Sequence, residues 1–197
     1  TDLIADRYKN TVFVACLTAA IGVPISLALG IIAAMYPGSL YDRILTLISV
    51  SLVAAPEFLT ATILVLLFVF ALGVGNAIVM GSTEGKGVFE LIAHFALPIT
   101  TLCFVIASQL IRMSRAAVLN VMSSPYIEMA ILKGVPRRRI IFRHALLNAV
   151  GPIVNVVALN LAYLVTGVIV VEVYFGYNGL ATLIVPVSYT HLRAHET

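Results

Sequence analysis

The 197-residue chain is 61% hydrophobic and 11% charged, with a formal net charge of +3 and a mean hydropathy of +1.07. A soluble domain carries roughly 25% charged residues, so this chain cannot cover a water-facing surface and reads as an integral membrane protein. Its positive charge is concentrated in one stretch between apolar runs, which makes it a topology signal and not a nucleic-acid footprint.

Residues 1–10, TDLIADRYKN, are polar and begin at Thr1 with no signal peptide, so the chain reads as a piece of a longer protein. Val12 to Met35 is an almost uninterrupted apolar run. At 1.5 Å per residue it is roughly 36 Å long, enough to cross a hydrocarbon core of about 30 Å. Gly22, Pro24, Ser26 and Gly30 lie inside it, as membrane helices tolerate and as close helix approach requires.

A polar turn, 36–43, leads to the second apolar run at 44–72. Pro56 should kink it. Glu57, beside that kink, is an intramembrane acid with two readings: it faces a watery cavity or partner group, or it lines or gates a pathway. A glycine-rich loop at 73–90 has no positive excess. The third run is 91–111, with Pro98 in its first half. A polar, basic loop follows at 112–144. The fourth run, 145–171, contains Asn155 and Asn160, which the apolar setting predicts will bond a neighbouring helix. Cys16 and Cys103 fall inside apolar runs without metal-ligand spacing and read as small core residues.

The stretch VEVYFGYNGLATLIV, ending at Val185, is broken by Gly176, Asn178 and Gly179 and predicts a turn and short helix near the interface. Residues 187–197 break with everything before them and are set aside as a non-native tail. His191 and His195 are therefore not read as a metal pair. The membrane-spanning body is residues 1–186. Seven of the twelve basic residues lie at Arg112, Arg115, Lys133, Arg137, Arg138, Arg139 and Arg143. They place 112–143 and the 36–43 turn on the cytoplasmic side, with Thr1, 73–90 and 172–186 outside. Arg7 and Lys9 oppose this mildly and are offset by Asp2 and Asp6.

Within the loop, Ser124 is an N-cap candidate, and Pro125 fits the first helical position. Tyr126 to Lys133 then gives two turns, Gly134 a C′ residue and Pro136 a stop. Tyr126, Met129, Ala130 and Lys133 fall on one face. From the residues alone, this is either a surface loop anchoring its arginines to headgroups or a short, well-bounded helix with a task.

The same stretch resembles the cytoplasmic signature loop of ABC-transporter permease subunits: Glu-Ala-Ala, three residues, Gly, nine residues, Ile-x-Leu-Pro. Glu128, Ala130, Gly134 and Leu146 stand at matching positions. Met129, His144 and Leu147 depart from it, and match the subfamily that imports peptides and nickel. That subfamily's loop is similar through Tyr126, Ile127, Ala130, Lys133, Gly134, Arg143, His144, Ala145, Asn148, Ala149 and Pro152. SLVAAPEF around Pro56 and the VEVYFGYNGLATLIV stretch are similar too.

The resemblance implies an all-α, polytopic transmembrane helix bundle: a MetI-like ABC importer permease core with its last helix missing. It implies that Tyr126, Glu128, Met129, Ala130, Lys133, Gly134, Arg138, Arg143 and His144 couple to a cytoplasmic ABC ATPase. It further implies a second permease subunit (the same or different), an extracytoplasmic solute-binding protein, and a bacterial inner-membrane location. The expected cargo is peptides, nickel or other small solutes. No cofactor is expected in this chain; ATP and Mg²⁺ belong to the partner ATPase.

The sequence has no G-x-x-x-x-G-K-S/T phosphate loop, nucleophile elbow or zinc helix, so enzymatic activity is not expected. The alternative is a secondary transporter or channel. That would call for several intramembrane charges or an inverted repeat; only Glu57 and Glu172 qualify.

Overall fold

A computed structural model describes residues 2–74, 78–79 and 87–182. Eight helices are described: α1 Asp2–Met35, α2 Leu40–Ala54, α3 Glu57–Val65, α4 Val88–His94, α5 Ala96–Met122, α6 Pro125–Leu132, α7 Arg137–Ile140 and α8 Leu146–Phe175. No strand occurs among the described residues, as the all-α expectation requires. Three segments are long and apolar enough to cross a bilayer: Arg7–Met35, Ala96–Met122 and Arg138–Phe175. The pair α2 and Glu57–Ala71 makes a fourth if it counts as one broken span.

The boundaries depart from the expected ones in several places, among them the third run, which is two helices parted at Phe95. The run 44–72 is a broken helix, not a kinked one. The α-helix stops at Ala54 and restarts at Glu57, with Pro56 as the N-cap at φ −58°, ψ 149°. Proline's missing N–H and its effect on the preceding residue favour a stop there. The expected loop at 112–144 is also shorter than its arginines suggested, because α5 carries helix through Met122. On the C-terminal side, Arg137 already begins helix. Two turns widen to π geometry, Leu66–Ala71 and Ile141–Ala145, where Leu72 N–H bonds Leu67 O and Leu146 N–H bonds Ile141 O. Pro98 costs nothing, since it sits in the first turn of α5.

The residues divide into two compact units. One comprises 21–54 and 105–162. Its core is Ala34, Ala117, Val118, Ala149 and Ile153, flanked by Leu27, Ile31, Leu146 and Val157. Small residues let helix backbones approach closely where no hydrophobic drive separates lipid from protein. Gly30 shows this: a β-carbon there would lie 2.7 Å from Ile111 O and 3.2 Å from Ile111 Cα. In the same unit Asp42 is buried. It accepts from Arg115 Nε, from Arg115 Nη2 at 2.8 Å and from Gly38 N–H at 2.9 Å. One carboxylate thus ties the 36–39 turn to α5, and Arg115 is a structural partner, not a free loop cation.

The other unit comprises 1–20, 55–104 and 163–197, described as far as Thr182. An aromatic group holds it: Phe95 packs against Phe13 with ring centroids 6.2 Å apart and edge-on against Tyr177 at 5.3 Å. Val79 N–H bonds Phe175 O at 3.0 Å, and Tyr174 OH reaches Thr62 Oγ1 at 2.9 Å.

Two smaller expectations are corrected. Asn160 is buried but bonds Val156 O of its own helix at 2.9 Å, and Asn155 is exposed. Cys16 is exposed, and Cys103 is half-buried with its Sγ 3.8 Å from Thr18 O. The turn after α8 is present, with Gly176 at φ +67°. Residues 183–197, including the tail set aside above, and most of the 73–90 loop lie outside the described residues.

Candidate functional site

The short helix α6 is bounded as its sequence requires. Pro125 occupies its first turn, where no N–H is needed. Its C-terminus closes with a paired cap: Gly134 N–H bonds Ile131 O at 2.9 Å and Val135 N–H bonds Ala130 O at 3.1 Å. That pattern satisfies two orphan carbonyls and requires a left-handed residue between them. Gly134 supplies it at φ +73°. Ser124 stands at the N-cap position, but its hydroxyl donates to Val121 O at 2.5 Å and does not cap α6. It closes the preceding helix instead.

One side chain pins α6. Ile127 is fully buried against Ile140 and Ala145, with Val121, Met122, Ala130 and Val135 around them. Burying an isoleucine contributes about 1.5–3 kcal/mol, a large share for an eight-residue helix that could not hold itself in water. Ala130 therefore belongs to the pinned side and is only half-buried there. The other face is free. Tyr126, Glu128, Met129 and Lys133 are exposed, as are Gly134, Arg138, Arg139 and Arg143; His144 is half-buried.

Two large apolar residues of this stretch that the motif did not single out are also exposed. Leu132 is 80% exposed and Phe142 56%. For Leu132 the signal was a large apolar side chain beside a helix stop with no lipid-spanning run around it, whereas Phe142 lies inside the span Arg138–Phe175 and gave none. The result is an apolar knob of Tyr126, Met129 and Leu132 within a basic surround. Such a patch, rimmed by charge, has the character of a docking surface.

Glu57 lies elsewhere, at the start of α3 and half-buried. Gly167 makes room for it: a β-carbon at Gly167 would lie 3.2 Å from Glu57 Oε1 and 3.4 Å from Leu102 Cδ2. Asp42 is a buried acid that the sequence did not disclose, and Glu172, legible only as an intramembrane charge, is buried at the far end of α8. Among the described residues no group of three or more His, Cys, Asp or Glu is placed to hold a metal.

Long apolar helices joined to a short, pinned helix with an exposed apolar face define the class: a multi-pass membrane protein. The family profile described as "Binding-protein-dependent transport system inner membrane component" matches residues 26–193, reaching into the tail set aside above. The chain belongs to that family and is a multi-pass protein of the bacterial inner membrane. It is 31% identical over 184 residues to "Probable peptide ABC transporter permease protein y4tP" of Sinorhizobium fredii, covering 93% of this chain and 58% of that one. It is 32% identical to "Glutathione transport system permease protein GsiC" of Escherichia coli K12, covering 93% and 57%. The protein of the same name in Shigella flexneri serotype 5b is matched at the same identity and coverage. The chain thus spans a little over half the length of these relatives.

Proposed function

We propose that this chain is the transmembrane permease subunit of an ATP-driven importer, with α6 as its coupling helix. The observation that carries this reading is the pinned helix itself. Ile127 and the Gly134 cap fix α6 to the ends of α5 and α7, while Tyr126, Met129 and Leu132 stand clear of the chain. A rigid element fixed on one side and apolar on the other suits a groove in a moving partner. An ATPase that closes on ATP and Mg²⁺ would move that groove, and α6 would carry the displacement into the membrane helices. Glu128, Lys133, Arg138 and Arg143 would make charged contacts with the groove's rim, with His144 at its edge. The chain itself binds no nucleotide and catalyses nothing.

The cargo is a peptide, nickel or another small solute, delivered by an extracytoplasmic binding protein. The names of the relatives favour a peptide, since glutathione is one. A second permease subunit, alike or different, completes the path, and Pro56 and Glu57 would lie at a break along it.

Single cysteines at Met129 or Lys133 test the reading in membranes that contain the ATPase. The expected result is a cross-link from each to the ATPase, strengthened or lost on adding ATP. A channel or secondary transporter would give no such adduct. Labelling of both positions from outside the cell would also end the proposal.

A further inference from the structure

Glu172 is fully buried in the last turn of α8, and the importer mechanism gives it nothing to do. An ionised carboxylate is costly to bury, and apolar residues of similar volume are often as stabilising. A buried acid in a membrane protein therefore points to a task. Its partners, on α1 and in the strap 176–182 that follows α8, say which.

Glu172 Oε1 accepts from Thr182 N–H at 2.9 Å, and Oε2 accepts from Thr11 Oγ1 at 3.1 Å. The Thr11 hydroxyl also accepts from Leu180 N–H at 3.1 Å. Thr11 is thus a relay: its one proton is shared between the acid and Arg7 O of its own helix, 3.2 Å away, and its lone pair serves the strap backbone. Two further bonds hold the same segment to α1. Asn10 Nδ2 donates to Asn178 O at 2.9 Å, and Arg7 Nη1 donates to Thr182 Oγ1 at 2.6 Å. Gly179 lies directly on the carboxylate, so that a β-carbon there would be 2.7 Å from Oε1 and closer still to Oε2. Tyr177, in the same strap, is buried edge-on against Phe95. Its phenol is pushed well above the ordinary range by burial and by the Glu172 charge.

A passive connector between helices needs no such fixation. We propose that Glu172 is a positioning residue: with Thr11 and Gly179 it clasps the strap 176–182 onto α1 as a preformed face for the extracytoplasmic binding protein. This rests on the importer reading and on the outward placement of that end. The strap's exposed members, Gly176 and Asn178, are then held in register before the partner arrives, which lowers the ordering cost of docking.

The test uses the complete transporter in proteoliposomes with its cognate binding protein. Glu172→Gln replaces one acceptor with a donor, Thr11→Val removes the relay, and Thr11→Ser retains it. Glu172→Gln and Thr11→Val should raise the binding-protein concentration for half-maximal ATPase stimulation tenfold or more. Maximal rate should stay within twofold, and Thr11→Ser should match wild type. The thiol of Asn178→Cys should react with an impermeant maleimide, and saturating binding protein should shield it. If Glu172→Gln does not assemble, the Thr11 pair still decides. Unchanged half-saturation in Thr11→Val, or maleimide labelling of Asn178→Cys that is indifferent to the binding protein, overturns the clasp. Wild type without stimulation overturns the importer reading first.

Discussion

Replacing Gly134 with alanine isolates the backbone of the coupling helix from its packing. Nothing lies within 4 Å of a β-carbon at Gly134, so the variant introduces no clash. Its whole effect comes from φ +73°, a conformation that costs a non-glycine residue roughly 1–2 kcal/mol. That is comparable to the 1.5–3 kcal/mol or so that burying Ile127 contributes. The strain would therefore shift the population of correctly seated α6 by a factor of about 5 to 30. Asparagine tolerates the left-handed region better, so activity should fall in the order glycine, asparagine, alanine. The assay is labelled-peptide uptake into proteoliposomes, normalised to permease incorporated, beside ATP hydrolysis by the assembled complex. Incorporation should not change, and uptake per ATP should fall. Full uptake by Gly134→Ala, or Gly134→Asn performing worse than Gly134→Ala, would refute the assignment of Gly134 as a conformational requirement.

Ile127→Ala should cost about 2–5 kcal/mol of local stability, freeing α6 and exposing nearby Ala130 and Val135 to faster amide exchange while α5 stays protected. Asp42→Ala should leave Arg115 without its partner. Arg115 keeps 27% side-chain exposure, so the loss should be about 2 kcal/mol, below that of a fully buried pair. It should appear as a lower aggregation temperature in detergent that Asp42→Ala/Arg115→Leu partly restores. Gly30→Leu should drive α1 from Ile111, whose backbone cannot yield. A penalty of at least about 1–3 kcal/mol should show as reduced membrane accumulation, with Gly30→Ala milder.

The α6 unit is the most legible part of the sequence. Proline, glycine and a second proline act through their own backbone, so Pro125, Gly134 and Pro136 set its limits without help from tertiary structure. Its pin is not legible, because Ile127 reads as one more apolar residue until Ile140 and Ala145 are brought to it. The arginines mislead in one respect. Charge assigns Arg112 and Arg115 to a loop, whereas Asp42, remote in sequence, lets Arg115 stay on α5. The same limit hides what holds Glu172. The groups that hold it are a hydroxyl 161 residues away and backbone amides across a turn, and backbone amides leave no mark in a sequence. Pro56 announces a disturbance but not its degree, since a kink and a stop differ in what the flanking turns can bond.

The wide turn at Ile141–Ala145 has a consequence for how this region tolerates change. It holds one residue more than an ordinary α-helical turn would, between the anchoring Ile140 and the long span after Leu146. Removing a single residue there would restore regular winding and swing everything upstream through about 100° around the axis. Ile127 and Ile140 would be parted from Ala145, and the docking knob would face a new direction while each side chain kept its chemistry. The stretch is thus a phasing joint, sensitive to how many residues it contains even where it is indifferent to which ones.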